Sequence, residues 1–224
     1  MTASAARATV PAPRISAGDC RAGSGGDRQG CSGVSEIKLS TFDFETERLR
    51  LRSLDEGDEA LFHGLYTDPE TMRFIAPPLS TEQAAKSFRK VVARQRESSL
   101  NGRFLAILEK ATRQPVGICG TSKYDVDALR VEVGIVLTPE ARARGFAREA
   151  LTALMKGIFS MSPVDEIRVR FSTQCPAVER LNITVGFRPC ADELGEEGAL
   201  LKRIWSVHRS SWFAVEITNG QGEG

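Results

Sequence analysis

The sequence predicts a mixed α/β domain built around a single sheet, and three observations predict it. Strand-like and helix-like periodicities alternate along the chain. Hydrophobic residues fill 41% of its 224 positions, enough for the core of one domain. Over Val131 to Leu154 an apolar strand runs through a basic, glycine-containing turn into an amphipathic helix.

Glu47 to Ser53 alternates Arg48, Arg50 and Arg52 with Leu49 and Leu51, a period of two that fits a strand with one buried face. Asp55 or Asp58 then caps a helix carrying Leu61, Phe62, Leu65 and Tyr66. Ser80 with Gln83 makes a capping-box pair, and Ala84, Ala85, Phe88, Val91 and Val92 follow at helical spacing. Phe104 to Leu108 and Val116 to Thr121 flank a turn at Ala111 to Gln114, which predicts a hairpin, and Arg130 to Thr138 supplies the next strand. A helix follows from about Gly145 to Phe159, with Ala147, Ala150, Leu151, Leu154 and Ile158 as its apolar stripe. Ile167, Val169 and Phe171 alternate in another strand. Pro176 suits the first turn of a short helix that ends at Gly186, and Ala199 to Val207 forms a late strand, with one more short strand near the end. The expected order is βααβββαβαβ with that addition.

Residues 1–40 are rich in Ala, Gly, Ser and Arg and nearly free of large apolar side chains, so a disordered tail is expected there. Its early arginines also fit an organellar transit peptide, the alternative to a plain extension of a cytoplasmic protein. The folded domain is expected over 41–217 and a flexible C-terminus over 218–224. A net charge of +1 argues against a dedicated nucleic-acid binder. No apolar run approaches the roughly 20 residues needed to span a bilayer, so no membrane partner is expected. Five scattered cysteines with no CxxC suggest neither a disulfide framework nor a zinc site, and no metal is expected.

The chemistry centres on the strand-turn-helix. Exposed main-chain N–H groups at a helix start, the positive end of the macrodipole, and Arg142, Arg144 and Arg148 converge where a diphosphate would sit. Gly145 permits close approach of the main chain to a ligand, and Ala147 leaves the space beside it open. The alternative for the three arginines is a solvated helix face.

This segment resembles motif A of the GNAT superfamily of acyl-CoA-dependent N-acetyltransferases, [QR]xxGx[GA] between the fourth strand and the third helix, written here Arg142, Ala143, Arg144, Gly145, Phe146, Ala147. A second likeness is independent of it: TERLRLR (Thr46 to Arg52), LYTDPETMRFI (Leu65 to Ile75), EVG (Glu132 to Gly134) and VGFRP (Val185 to Pro189) occur in the order found in the branch named for ribosomal-protein N-terminal alanine acetylation. The likeness covers about Thr46 to Trp212. It implies a mixed, mostly antiparallel sheet with helices on both faces, splayed between the fourth and fifth strands counted from the sequence. It further implies acetyl-CoA as cosubstrate, with the diphosphate held by N–H groups from Arg142 to Ala147 and by Arg148. The pantetheine arm would lie on the main chain of Ile135, Val136 and Leu137, and the Ile135 N–H would polarise the thioester carbonyl. The acceptor would be a primary amine, either a protein N-terminus or a small molecule, on a monomer or homodimer.

Glu132 matches the acidic position of the branch and is the candidate base, acting through water; the alternative is a structural carboxylate paired with an arginine. His63, His208 and Tyr124 are further candidates. Many relatives place an asparagine, a small residue and a tyrosine in the fourth helix, where this chain has Cys175, Val178 and Asn182. Asn182 can donate a hydrogen bond to sulfur but supplies no acidic proton. These changes would also suit a non-catalytic acyl-CoA-binding regulatory domain, the competing reading. A P-loop phosphotransferase is disfavoured because no GxxxxGK segment exists.

Overall fold

The structure is a computed structural model that describes residues 42–95, 97, 99–193 and 202–213. The tail expected over 1–40, the C-terminus expected over 218–224 and the expected start of the late strand at 199–201 lie outside the described residues.

Among the described residues eight strands form one sheet: β1 (Phe44–Glu45), β2 (Leu49–Ser53), β3 (Phe104–Glu109), β4 (Pro115–Asp125), β5 (Arg130–Leu137), β6 (Glu166–Ser172), β7 (Arg188–Glu193) and β8 (Lys202–His208). Their spatial order is β1-β2-β3-β4-β5-β6-β8-β7, and every neighbouring pair is antiparallel except β5 with β6. The helices are α1 (Glu59–Thr67), α2 (Pro69–Met72), α3 (Thr81–Arg94), α4 (Phe146–Met161) and α5 (Pro176–Val185). The extra strand expected near the end is β7, which precedes β8 in the chain. Beyond expectation are the two-residue β1 and the single turn α2, which Asp68 caps by accepting from the Glu70 and Thr71 N–H groups, with Pro69 in its first turn.

Local signals set the other boundaries. Ser80 Oγ accepts from the Gln83 N–H at 3.2 Å while Gln83 Oε1 accepts from the Ser80 N–H at 2.9 Å, so α3 begins with both bonds of a capping box. Leu49 and Leu51 are fully buried on β2 while Arg50 points to solvent. Gly186 closes α5 in a left-handed conformation, φ 103°.

Two apolar layers sandwich the sheet. Phe62, Leu65, Tyr66, Met72, Phe88 and Val91 pack α1 to α3 onto Phe104, Ala106, Ile118 and Val136. On the other face Ala150, Leu151, Leu154, Met155 and Ile158 of α4 meet Val131, Val133, Ile135 and Ile167. No helix among the described residues is long and apolar enough to cross a membrane.

The sheet opens at its centre. β5 and β6 pair only through Arg130↔Glu166, Val131↔Ile167 and Glu132↔Arg168, although β5 continues to Leu137 and β6 to Ser172. Beyond Glu132 the two strands part, between the strands that the resemblance numbers fourth and fifth.

Substitution of two glycines separates what the packing demands from what it tolerates. A Cβ on Gly120 would stand 2.4 Å from the Arg103 main-chain oxygen, so Gly120→Ala is expected to lower Tm sharply. Nothing lies within 4 Å of a Cβ on Gly64, which is exposed in α1. Gly64→Ala is therefore expected to stabilise the protein by about 0.5–1 kcal/mol through helix propensity, as read by urea denaturation.

Candidate active site

At the carboxyl end of β5 the chain passes through a short 3-10 turn, Pro139–Ala141, and then through two left-handed residues, Ala143 at φ 58° and Gly145 at φ 82°. Gly145 is the N-cap of α4 and brings no side chain to cap the first turn. The opening N–H groups of α4 therefore point outward beside the positive end of a sixteen-residue helix. A Cβ on Gly145 would both strain the backbone and stand 3.2 Å from Arg48 Nη2.

This turn borders a cleft of about 250 Å³. Arg142, Ala143, Gly145, Phe146, Ala147 and Arg148 form one wall, and Val136 and Leu137 of β5 form the floor. Opposite lie Ala177, Val178 and Leu181 of α5 with Thr71 and Ile75 from the segment at α2.

The edge of β5 that faces this cleft is open, and alternation along the strand shows which groups it presents. The Thr138 N–H donates to the Val116 carbonyl at 3.0 Å, so even-numbered residues here turn their main-chain groups toward β4. The Leu129 carbonyl accepts from the Asp165 N–H at 2.7 Å on the β6 side, so odd-numbered residues turn toward β6. Ile135 and Leu137 therefore aim their N–H and C=O groups into the gap where β6 has diverged. The Leu137 carbonyl already accepts from Arg142 Nε at 3.3 Å and Nη2 at 3.2 Å, and Arg142 Nη2 also reaches Thr71 Oγ1 at 2.8 Å.

Side chains from distant parts of the sequence hold the turn. Arg48 pairs with Glu149 through Nε at 2.8 Å and Nη2 at 2.6 Å, and its Nη1 donates to the Arg144 carbonyl at 3.0 Å. Thr46 Oγ1 donates to the same Glu149 carboxylate at 2.6 Å. Arg144 pairs with Glu109 and stacks its guanidinium 4.4 Å from the Phe146 ring centroid. Burial opposes ionisation of Glu149, yet the hydrogen bonds from Thr46 and Arg48 outweigh it and hold its pKa below the ordinary glutamate value. The Arg144 guanidinium does the same for Glu109.

Of the residues named from sequence, Val136, Leu137, Arg142, Ala143, Gly145, Phe146, Ala147 and Arg148 line the cleft. Arg144 is turned to Glu109 instead, outside the cleft lining. Ile135 contributes main chain only, its side chain being buried in the core. Asn182 is 2% exposed and sits one turn beyond Val178 on α5; its Nδ2 has no hydrogen-bond partner among the described residues. Cys175 is buried at the N-cap of α5. Sequence reasoning did not name Thr71, Ile75, Ala177 or Leu181 as cleft residues. The i, i+4 spacing of Ala177 and Leu181 behind Pro176 was the available signal for the last two.

Glu132 lies elsewhere, in a second cavity of about 590 Å³ on the sheet face that also carries α1 to α3. Glu132 is 6% exposed, and its Oε1 accepts from Lys123 Nζ and Arg170 Nη2, each at 3.0 Å. The arginine pairing weighed from sequence is therefore present. Tyr124 lines the same cavity. His63 is on α1, 3.9 Å from Glu59, and His208 lies beside Asp165 at 3.4 Å; neither lines either cavity.

Comparison with known proteins agrees with this geometry. The family model described as "Acetyltransferase (GNAT) domain" matches residues 48–188. An uncharacterised N-acetyltransferase, p20, of Bacillus licheniformis is 29% identical over 140 residues, which is 61% of this chain and 78% of that protein. Among solved structures, a spermidine N-acetyltransferase from Vibrio cholerae in complex with CoA and spermine matches with a TM-score of 0.66 at 17% identity, covering 75% of this chain and 99% of that one. A ribosomal-protein-S5-alanine acetyltransferase from Vibrio fischeri matches with a TM-score of 0.64 at 16% identity, covering 76% of this chain and 98% of that one. At such identities the two structures speak for the fold.

The clamp on the turn is open to test. Arg48→Met is expected to weaken pyrophosphate binding at the turn about tenfold by calorimetry, equivalent to about 1.4 kcal/mol, with a measurable fall in Tm; unchanged affinity would mean that the turn supports itself. Because the carboxylates of Glu109 and Glu149 have lowered pKa values, their ion pairs contribute fully above the ordinary glutamate range and are lost as pH falls through the lowered values. The Tm difference between the wild type and Arg48→Met should thus stay level from pH 8 to about 5 and shrink only below the reference glutamate pKa of about 4.3.

Proposed function

This chain belongs to the GNAT acetyltransferase family and is an N-acetyltransferase, and on that premise we propose that it moves an acetyl group from acetyl-CoA to a primary amine by direct attack in a ternary complex. The observation that carries the reading is the junction of an anion cradle at Gly145 with the unpaired edge of β5 at Leu137 and Ile135.

The residues present fit such a cosubstrate. The N–H groups from Ala143 to Arg148 suit its diphosphate, with Arg142 and Arg148 adding charge; each charge-assisted hydrogen bond is worth about 1.5–3 kcal/mol. The main-chain groups of Leu137 suit the amides of a pantetheine arm, since its carbonyl retains a second lone pair beside Arg142. Val136, Ala147, Ala177 and Val178 provide the apolar walls that an extended arm needs.

Acetyl-CoA, when bound, supplies the thioester that the amine attacks. The Ile135 N–H donates to the acyl oxygen, where negative charge develops. Glu132 accepts the proton that the ammonium must lose, through water, using Oε2, which is buried and has no hydrogen-bond partner among the described residues. Asn182 Nδ2, on α5, is the donor assigned to the leaving sulfur. The new N–C bond replaces the C–S bond; the nitrogen loses one proton before attack and a second as the C–S bond breaks, both by way of Glu132 and water to solvent, and the thiolate takes one proton from solvent.

Thiol release from acetyl-CoA, measured against N-terminal peptides, amino acids, polyamines and aminoglycosides, tests the reading. Release above background with at least one class is expected; coenzyme A binding with no release for any amine would contradict it. Glu132→Gln is expected to lower kcat/KM for the amine by about a hundredfold or more, the usual scale of general base catalysis, with acetyl-CoA affinity unchanged. A normal rate across the pH profile would remove Glu132 as base.

A further inference from the structure

We propose that the second cavity selects a zwitterionic acceptor: a small primary amine whose carboxylate or phosphonate lies two or three bonds from the nitrogen. The inference rests on the acetyl-transfer reading above and names the substrate class of that reaction.

The first observation is how Glu132 is held. Lys123 and Arg170 both donate to Oε1, while Oε2 is buried with no hydrogen-bond partner among the described residues. A buried carboxylate oxygen without a donor is costly, and the water that relays a ligand ammonium's proton would satisfy it. Glu132 is also the last residue of β5 paired with β6, so an amine held there stands at the mouth of the splay.

The second observation is the neighbour of Glu132 across the strands. Arg168 is its registered partner on β6. Val131, Val133, Ile167 and Val169 pack into the opposite core, so Glu132 and Arg168 share the other face of the sheet. Arg168 commits only Nε, to Glu166 Oε1 at 2.8 Å, among the described residues. The N–H groups on its two Nη atoms are available as a fork for a planar acid. Adjacent strands lie about 4.8 Å apart, which suits an ammonium and an acidic group on the same or neighbouring carbons.

The third observation is charge. Lys123, Arg130, Arg168 and Arg170 line the cavity against the carboxylates of Asp125 and Glu132. Asp125 is already paired with Arg130 at 2.9 Å and Glu132 with two cations, leaving no second acidic group to receive a further ammonium. A polyamine brings only positive charge to this basin, whereas a zwitterion matches both of its signs.

The test compares α-amino acids with their own amides, aminophosphonates and spermidine as acceptors for the wild-type enzyme, reading kcat/KM by thiol release. Amino acids or aminophosphonates are expected to exceed the amides by about tenfold or more, with the two acid arms showing which group is preferred. Arg168→Gln should bring the acid-to-amide ratio near one through KM for the acid, with Tm recorded to establish folding. Amides or spermidine acetylated faster than the acids, or a ratio unmoved in a folded Arg168→Gln variant, would overturn the inference while acetyl transfer stands. No thiol release with any amine would instead remove the acetyl-transfer reading, and the inference with it.

Discussion

The early parting of β5 and β6 is the constraint on which the rest of the structure depends. Parallel neighbours in a sheet normally pair along their shared length, yet here pairing ends at Glu132↔Arg168. The gap leaves odd-numbered residues of β5 with main-chain groups that no strand among the described residues pairs, and main-chain groups at an open edge call for a partner. An extended ligand carrying amides can take that place by adding a strand. The opening persists because each strand is anchored elsewhere: β5 along β4 from Gly117↔Leu137 to Asp125↔Arg130, and β6 along its whole length by β8.

The cradle completes what the open edge begins. Gly145 takes a left-handed conformation at the foot of α4, and the apolar stripe of that helix is locked into the core, so its first turn is held at the end of β5. Arg48, Glu149, Arg144 and Glu109 bolt the turn to the amino end of β2 and the far end of β3. An anion at this point would meet a preorganised set of donors, which would limit the ordering entropy lost on binding. The charged cavity around Glu132 lies on the face of the sheet that carries α1 to α3.

The fold was legible because its signals are local. Ser80 with Gln83, Pro176 with Gly186, and the alternation of Leu49 and Leu51 each act within a few residues of the boundary or face they define. The turn at the foot of α4 was legible for the same reason, since glycine, arginines and helix start are contiguous in the chain. Residues whose roles depend on distant partners were less so. Arg144 reads from sequence as a phosphate ligand, but Glu109, 35 positions away, takes its guanidinium. Thr71 enters the cleft because Arg142 reaches across 71 positions to its hydroxyl. The single turn α2 is too short to carry a periodicity. That Lys123 and Arg170 would meet on one oxygen of Glu132, leaving the other bare, depends on three strands meeting and has no one-dimensional signature.

A crystal structure with coenzyme A bound tests the central claim most directly. The account predicts the diphosphate within hydrogen-bond distance of main-chain nitrogens between Ala143 and Arg148, and the pantetheine amides paired with Leu137 along the open edge of β5. A diphosphate seated elsewhere, or an arm that leaves that edge unpaired, would contradict it.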